Sequence, residues 1–342
     1  MAEDRYSWAE PGLEEVADGV FRCPLPLPGD ALRAVNSYIV KTDSGLLLVD
    51  CGWDRPECRR TLLEGIGLLG ASLGDVLGIF ATHVHRDHLG QAAWLRDRSG
   101  AWLTLGLGER ATQMAFASDP SRARLASVER LRRCSAGDVA DLLIEQAKHL
   151  PEDSWGPPRP DLYLCGQELL LAGSVELEVI ATPGHTRGHL CLFDRGRGLL
   201  FAGDHVLPQI TPSLGVELPG EDSPLSSFLS SLAAVRELPA GLVLPAHGPT
   251  FPNLRERVDE LLAHHRRRLE GCLEVVRADG STVREVAAAL PWTRRGRLLK
   301  ELDPFNQMLA VFETEAHLRV LADEGRLRTE AHPGGLRYFR GS

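Results

Sequence analysis

The stretch FATHVHRDHLG, residues 80–90, holds three histidines and one aspartate within six positions, in a chain of 342 residues that has 12 histidines in all. Neutral imidazoles and carboxylates are the ligands that hold borderline divalent metals such as zinc, and an open catalytic site uses three protein ligands per metal. The pattern supplies two of the three ligands for each of two metals, because His83 and His85 can reach one metal while Asp87 and His88 reach a second metal beside it. The stretch therefore predicts a two-metal site that needs further ligands from elsewhere in the chain.

The histidine cluster follows a predicted strand. Residues 76–82 form a continuous apolar run, as in a strand buried on both faces, and the run stops where the histidines begin. Upstream, two strand-like runs at 35–41 and 45–50 are joined by TDSG, whose composition is typical of a hairpin turn. Downstream, strand signals at 174–182, 189–194, 198–204 and 241–247 alternate with helical segments. This alternation indicates an α/β protein in which several strands end in a possible metal ligand.

Three further candidate ligands stand at the ends of later strands: His185 in TPGHTRGH, Asp204 in FAGDHV and His247 in LPAHGP. Together with the cluster and with Asp50 in LLLVDCG, they resemble the five motifs, in order, of the metallo-β-lactamase-fold hydrolase superfamily. The resemblance covers roughly residues 12–252, and it is specific because five short patterns agree in type and order. It implies a four-layer αββα sandwich with the metal site at one edge of the paired sheets.

The resemblance also implies a role for each motif residue. The first metal would be held by His83, His85 and His185, the second by Asp87, His88 and His247, with Asp204 bridging the two. Asp50 would orient the site from behind the ligands, and His189 would lie near the metals without binding them, as buried partners of metal ligands commonly do. The cofactors would be two divalent ions, with zinc the first expectation, although iron and manganese also accept this ligand set.

The mechanism expected of such a site needs no serine or cysteine nucleophile. Two metals about 3.5 Å apart can share a hydroxide, because coordination lowers the pKa of bound water from about 15.7 to about 7. We expect this metal-bound hydroxide to attack an ester-like carbonyl or a phosphoryl centre. Asp87 is the predicted catalytic residue, since its carboxylate would also orient the nucleophile.

The chain divides by pattern into a predicted catalytic domain, residues 1–252, and a helical C-terminal domain, residues 253–342. Within the first, helical segments at about 109–160 predict an insertion lying over the core. As a hypothesis, one edge of this insertion lines an apolar acyl pocket, with Met114, Phe116, Leu131 and Leu143 as its apolar residues at helical spacing. In the second, three helices and a hairpin turning at residues 333–335 are the outline of a winged helix.

Composition limits the classes of partner. The chain has 38 basic and 47 acidic side chains, a net charge of −9, which disfavours a long polyanion such as a nucleic acid. No apolar run approaches the 18 residues that a membrane span needs, and the acidic start is unlike a signal peptide. Seven dispersed cysteines suit reduced thiols in the core. These features predict a cytoplasmic protein and leave a homodimer open, while the family resemblance implies a small acyl substrate.

Two basic runs stand apart from the acidic balance: HHRRR at 264–268 and RRGRLLK at 294–300. Either run could hold a phosphate of coenzyme A or of RNA. The favoured interpretation is a solvated helix face whose charges pair with Glu260, Glu270 and Glu301.

Fold alone does not choose the substrate. The sequence segments at 203–215 and 243–251, followed by a winged-helix-like region, resemble those of a group of proteins within the superfamily. This group includes β-lactamase-like protein 2 and the thioesterases that release polyketides from acyl carrier proteins. The leading hypothesis is therefore cleavage of a thioester or ester of acyl-CoA, acyl-carrier or glutathione type, with an endoribonuclease or phosphodiesterase as the alternative. A lactonase, a β-lactamase, a persulfide dioxygenase and a non-enzymatic nucleic-acid-binding regulator are weaker alternatives.

Overall fold

Two β-sheets packed face to face form the centre of the protein, as seen in a computed structural model that describes residues 6–118, 122–148, 155–214, 223–293 and 295–341. In this described part of the chain, the first sheet has its seven strands in sequential order. It is antiparallel from β1 to β4 and parallel from β4 to β7. Its strands are β1 Glu14–Ala17, β2 Val20–Pro26, β3 Ala34–Lys41, β4 Leu46–Val49, β5 Val76–Phe80, β6 Trp102–Gly106 and β7 Leu162–Leu164.

The second sheet has the order β12-β11-β10-β9-β8 and is antiparallel except for the parallel pair β11 and β12. All residues of β10 and β11 are buried, as expected of apolar strands covered on both faces. Its strands are β8 Leu169–Ala172, β9 Val175–Ala181, β10 Leu190–Asp194, β11 Leu199–Gly203 and β12 Leu242–Pro245.

Helices cover both outer faces of the sandwich. Between the sheets, Tyr38 of β3 meets Phe201 of β11 edge to face at 5.6 Å, in an apolar layer drawn from both sheets. Outside the first sheet lie α1 Pro56–Leu68, the short α2 Arg86–Leu89 and α3 Ala92–Ser99; outside the second lie α7 Pro224–Val235 and α8 Leu254–Val275. The predicted α/β fold with helix, sheet, sheet and helix layers is therefore confirmed.

The predicted insertion contains α4 Arg110–Ser118, α5 Arg122–Arg133 and α6 Gly137–Ala147. Its last two helices pack against the C-terminal region, where Arg130 Nε lies 2.6 Å from the carboxylate of Glu315. Leu131 is fully buried, whereas the side chain of Met114 is 62% exposed. Residues 119–121 and 149–154 lie outside the described residues, and the acyl pocket stays a prediction.

The C-terminal region contains, after α8, the elements β13 Ser281–Thr282, α9 Val283–Ala289, α10 Pro304–Asp323, β14 Leu327–His332 and β15 Gly335–Arg340. The three strands pair in the order β13-β15-β14, and the hairpin turns between His332 and Gly335. These elements follow the predicted order, while the winged-helix assignment itself stays a prediction. The division at residue 252 also stays a prediction: one apolar cluster joins α5, α6, the outer face of the second sheet and α7 to α10.

Two expectations from composition concern the cysteines and the membrane. All seven cysteines are free, and six are buried, while Cys165 is exposed. None of the helices in the described ranges combines the length and the apolar character that crossing a membrane requires.

Candidate metal centre

The seven predicted ligands come together at one edge of the sandwich. His83 and His85 lie in the loop after β5, with Asp87 and His88 in α2; His185, Asp204 and His247 follow β9, β11 and β12. The structure groups them as His83, His85 and His185; as His83, His88 and Asp204; and as Asp87, His88 and His247, with one ligand atom of each residue within 4.8 Å of the others in its group. Residues more than 160 positions apart in the sequence thus share one site.

The first group presents three imidazoles to a common point. Nδ1 of His85 lies 3.0 Å from Nε2 of His185, and the rings of His83 and His185 have their centroids 4.8 Å apart. In the second group, Oδ2 of Asp87 lies 3.5 Å from Nε2 of His88 and 3.3 Å from Nε2 of His247. These spacings suit ligand atoms that surround a metal at about 2.0–2.2 Å.

Asp204 faces both groups with different oxygens. Its Oδ2 lies 3.4 Å from Nε2 of His185, in the first group. Its Oδ1 lies 3.4 Å from Nε2 of His247 and 3.7 Å from Nε2 of His88, in the second. One carboxylate is thus placed to contact a metal in each group.

Several of the converging atoms lack a protein partner. Nε2 of His83, His88 and His247 and Oδ1 of Asp204 are buried, and no described residue supplies a hydrogen bond to any of them. A buried polar atom without a partner is costly, on the order of 1–3 kcal/mol each, unless an ion or water satisfies it. The donor set, imidazole nitrogens with carboxylate oxygens, is the set that divalent metals such as zinc prefer. The residues therefore fit a metal site.

The other ring nitrogen of four of these histidines is held by the protein. Nδ1 of His185 donates to the carbonyl of Ser213 at 2.7 Å, and Nδ1 of His247 donates to the carbonyl of Ala34 at 2.8 Å. Nδ1 of His88 lies 2.7 Å from Asp50, and Nδ1 of His83 lies 3.0 Å from the hydroxyl of Thr82. A carbonyl or carboxylate acceptor fixes the proton on Nδ1, which leaves the Nε2 lone pair free for a metal.

Asp50 lies next to His88 and the loop that carries the histidine cluster. Its backbone is left-handed, with φ of 58°, and the strand that precedes it ends at Val49. One carboxylate oxygen accepts from the backbone N–H of Thr82 at 2.8 Å and the other faces Nδ1 of His88. Asp50 therefore ties the loop that carries the cluster to the end of β4.

His189 orients Asp204. Its Nδ1 donates to the hydroxyl of Thr182 at 2.7 Å, so its Nε2 accepts, and the backbone N–H of Asp204 donates to it at 3.1 Å. Both ring nitrogens are thus engaged by the protein, and the role of His189 beside the ligands stays a prediction. The neighbouring His205 is fully buried and packs against Phe228.

Sequence reasoning missed two residues that fix His247. Nδ2 of Asn36, in β3, donates to the carbonyls of Pro245 at 2.9 Å and Gly248 at 2.8 Å. The hydroxyl of Tyr38 donates to the same Pro245 carbonyl at 2.8 Å. The available signal was Asn36 itself, since an amide in a largely apolar strand that is buried needs polar partners.

The histidine pKa values differ between the two ligand groups. Burial lowers the pKa of His83 well below its usual value and that of His85 to about 3, so these imidazoles stay neutral. Burial also acts to lower the pKa of His88, but the carboxylates of Asp87 and Asp50 outweigh it and raise that pKa well above its usual value. The second group is thus a place where carboxylates stabilise positive charge, which a divalent cation would supply.

Comparison with known proteins agrees with this geometry. A family model of the metallo-beta-lactamase superfamily matches residues 30–247. The beta-lactamase-like protein 2 homolog of Caenorhabditis elegans is 24% identical over 83% of this chain and 81% of its own length. The atrochrysone carboxyl ACP thioesterase of Aspergillus fumigatus is 25% identical over 94% of this chain and 66% of its own length. A probable metallo-hydrolase of Bacillus subtilis is 25% identical over 93% of this chain and 96% of its own length.

Solved structures extend the similarity over nearly the whole chain. The crystal structure of a metallo-beta-lactamase family protein from Thermus thermophilus has a TM-score of 0.78 at 28% identity, covering 95% of this chain and 100% of that one. A beta-lactamase domain protein from Burkholderia ambifaria has a TM-score of 0.76 at 27% identity, covering 98% of each chain. The chain therefore belongs to the metallo-beta-lactamase superfamily, whose members are metal-dependent hydrolases.

Proposed function

We propose that this protein hydrolyses a thioester or ester of moderate size at a centre of two divalent metals. The observation that carries the proposal is the pair of ligand groups with Asp204 between them. The candidate ligands are His83, His85 and His185 for one metal, Asp87, His88 and His247 for the other, and Asp204 for both. Zinc suits the donor set best, and iron or manganese would also fit it.

Bound divalent ions would supply an ionised water at neutral pH and polarise the carbonyl that is attacked. The residues around them set where the substrate arrives. His83 and His88 have no exposed side-chain area, whereas His85 is partly exposed and Asp87 keeps 22% of its side chain exposed. The site is therefore open on the side of His85 and Asp87. There the carboxylate of Asp87 can accept a hydrogen bond from the attacking water and direct it.

Thioester cleavage is favoured by the relatives. A relative that matches 94% of this chain is named as an ACP thioesterase, and another that matches 72% is named as a thioesterase. The acyl group would arrive on coenzyme A, a carrier protein or glutathione. Hydrolysis of any of these needs the polarised carbonyl and the directed water described above, and no covalent intermediate on the protein.

One observation favours the second candidate, a ribonuclease or phosphodiesterase. The expected pairing of the two basic runs with nearby glutamates is wrong: Glu260 pairs with Arg257 at 2.6 Å, Glu270 pairs with Arg326 at 2.8 Å, and Glu301 accepts from the backbone N–H of Leu298 at 2.7 Å. A neighbour one helical turn away, a distant arginine and a helix terminus thus engage the carboxylates of Glu260, Glu270 and Glu301, respectively. Their engagement leaves exposed basic side chains with no ion pair to any described residue: Arg266, Arg267, Arg295, Arg297 and Lys300.

The structure also places the end of the first run against the residues that precede the second run. The guanidinium of Arg268 stacks on the ring of Trp292 at 3.8 Å and donates to the carbonyl of Pro291 at 2.8 Å. A surface of this kind favours a phosphate group, which RNA carries along its backbone and coenzyme A carries on its nucleotide. The net charge of −9 still disfavours the longer polyanion.

A substrate panel tests the proposal. Metal-loaded protein is incubated in parallel with acyl-CoA thioesters, single-stranded RNA, a lactone, a β-lactam and a phosphodiester, with metal content measured on the same sample. We expect metal-dependent release of free thiol from the thioester. Cleavage of RNA without thioester hydrolysis would establish the second candidate instead, and a metal-loaded protein inert toward every ester and thioester would contradict the proposal.

A further inference from the structure

We propose that Arg257, which lies beyond the predicted catalytic domain, is a positioning residue for the metal centre. The inference rests on the proposed two-metal function and concerns how the chain holds one ligand, His185, in place. It assigns to helix α8 a part in building the site.

The segment between Asp204 and Ser213 links the two ligands of interest. It starts at the carboxylate that faces both groups, and it ends at the carbonyl that accepts from Nδ1 of His185 at 2.7 Å. Residues 206–213 belong to no helix or strand, so no ladder of backbone hydrogen bonds fixes this segment. The position of the Ser213 carbonyl, and with it the ring of His185, therefore depends on how the segment is held from outside.

Arg257 holds this segment from α8. Its Nε donates to the carbonyl of Leu207 at 2.7 Å, and its Nη2 donates to the carbonyl of Ile210 at 3.0 Å. Nη1 pairs with Glu260 at 2.6 Å, which fixes the plane of the guanidinium. Only 17% of the side chain is exposed. A planar fork of this kind can bind two carbonyls three residues apart, which the single ammonium of a lysine cannot do with the same geometry.

The same segment also packs against the second ligand group. A Cβ built on Gly248, whose φ is +101°, would lie 2.6 Å from Cγ of Pro208. Gly248 directly follows His247, and its carbonyl accepts from Asn36. Moving the segment away from α8 would thus loosen His185 first, while Asn36 and the carbonyl of Ala34 would still hold His247.

The inference is tested with Arg257→Met, which keeps most of the apolar stem and removes the donors, and with Arg257→Lys. The matched control is Arg255→Met, because Arg255 lies on the same helix turn, is 57% exposed and pairs with Glu237 on the surface. For each variant, metal per chain is measured after dialysis, dissociation constants are measured by chelator competition, and KM is separated from kcat. Circular dichroism and urea unfolding report whether each variant is folded.

We expect Arg257→Met to lower the affinity for one of the two metals by about 10–100-fold, because loss of residues that orient ligands commonly has an effect of this size. The variant should also lower kcat more than it raises KM. Arg257→Lys should recover part of the affinity, and Arg255→Met should match the wild type. Wild-type affinity for both metals in Arg257→Met would overturn the inference; if that variant does not fold, wild-type affinity in Arg257→Lys would overturn it. A wild-type protein that binds no metal would instead refute the proposed function, and the inference with it.

Discussion

Replacing Asp50 by asparagine should weaken metal binding without disturbing the backbone. Asn tolerates the left-handed conformation that Asp50 adopts at φ 58°, so the substitution changes chemistry and not chain geometry. The carboxylate accepts from Thr82 at 2.8 Å and from Nδ1 of His88 at 2.7 Å, at a position only 2% exposed. An amide has one acceptor oxygen, so one of these two buried donors loses its partner.

The expected change in metal affinity follows from that lost hydrogen bond. A buried donor without an acceptor costs about 1–3 kcal/mol. If the amide group turns its NH2 toward His88, the ring proton moves to Nε2 and that nitrogen no longer offers a lone pair. The cost then falls on metal binding, where roughly 1.4 kcal/mol corresponds to a tenfold change in affinity. We therefore expect one dissociation constant to rise by about 10–100-fold, in line with the effect of such partners in metal sites generally.

Chelator competition on purified protein measures both dissociation constants, and kcat/KM for the best thioester is measured beside them. Asp194→Asn is the matched control, because Asp194 is 5% exposed, lies in β10 and pairs with Arg197. That variant should lose stability but keep its metals. If Asp50→Asn keeps both constants within twofold of the wild type, the reasoning about Asp50 fails.

Three further predictions concern catalysis, packing and acid stability. Asp87→Ala should lower turnover by roughly 100-fold or more in folded protein, because the attacking water loses the carboxylate that orients it. A folded variant that keeps most of the turnover would contradict this. Asn36→Leu should lower the free energy of unfolding by ~1–3 kcal/mol in urea titrations, since the buried carbonyl of Gly248 loses its donor while that of Pro245 keeps the Tyr38 hydroxyl; an unchanged free energy of unfolding would contradict the role given to Asn36. Burial lowers the pKa of His265 to about 2 and that of His317 to about 4, so the unfolded chain binds protons that the folded protein does not. The contribution of these two histidines to the free energy of unfolding should thus be fully present above about pH 6.5 and fall on acidification by ~1.4 kcal/mol per pH unit for each group. The free energy of unfolding of His317→Leu should therefore decline less steeply than that of the wild type between about pH 6.5 and 4. Equal slopes for the two proteins would contradict this prediction.

The candidate ligands could be proposed from the sequence because each of their motifs is local. Each candidate lies in the segment that follows a strand, and parallel strands of one sheet end at the same edge. His83 follows a strand of the first sheet and Asp204 a strand of the second, so their assignment to one site came from the family resemblance. The role of Asp50 followed from the family resemblance, and the structure adds the contact with His88 that explains it.

The contacts that hold the ligands were not predictable in the same way. Asn36 reaches Pro245 across more than 200 residues, which depends on how the start of β3 meets the end of β12 in the other sheet. The partner of Glu270 is Arg326, 56 residues away, so neighbours on the same helix were a poor guide. Packing of the insertion against α10 likewise depends on which helix faces meet in the folded protein, and spacing within one helix does not define that.

The most direct test of a two-metal centre is an anomalous difference map from crystals of the protein grown with zinc and measured at the zinc absorption edge. We predict two peaks about 3.5–4 Å apart, one contacted by His83, His85 and His185 and the other by Asp87, His88 and His247, with Asp204 touching both. A map with no peak at these residues, or with zinc bound only elsewhere on the chain, would contradict the account.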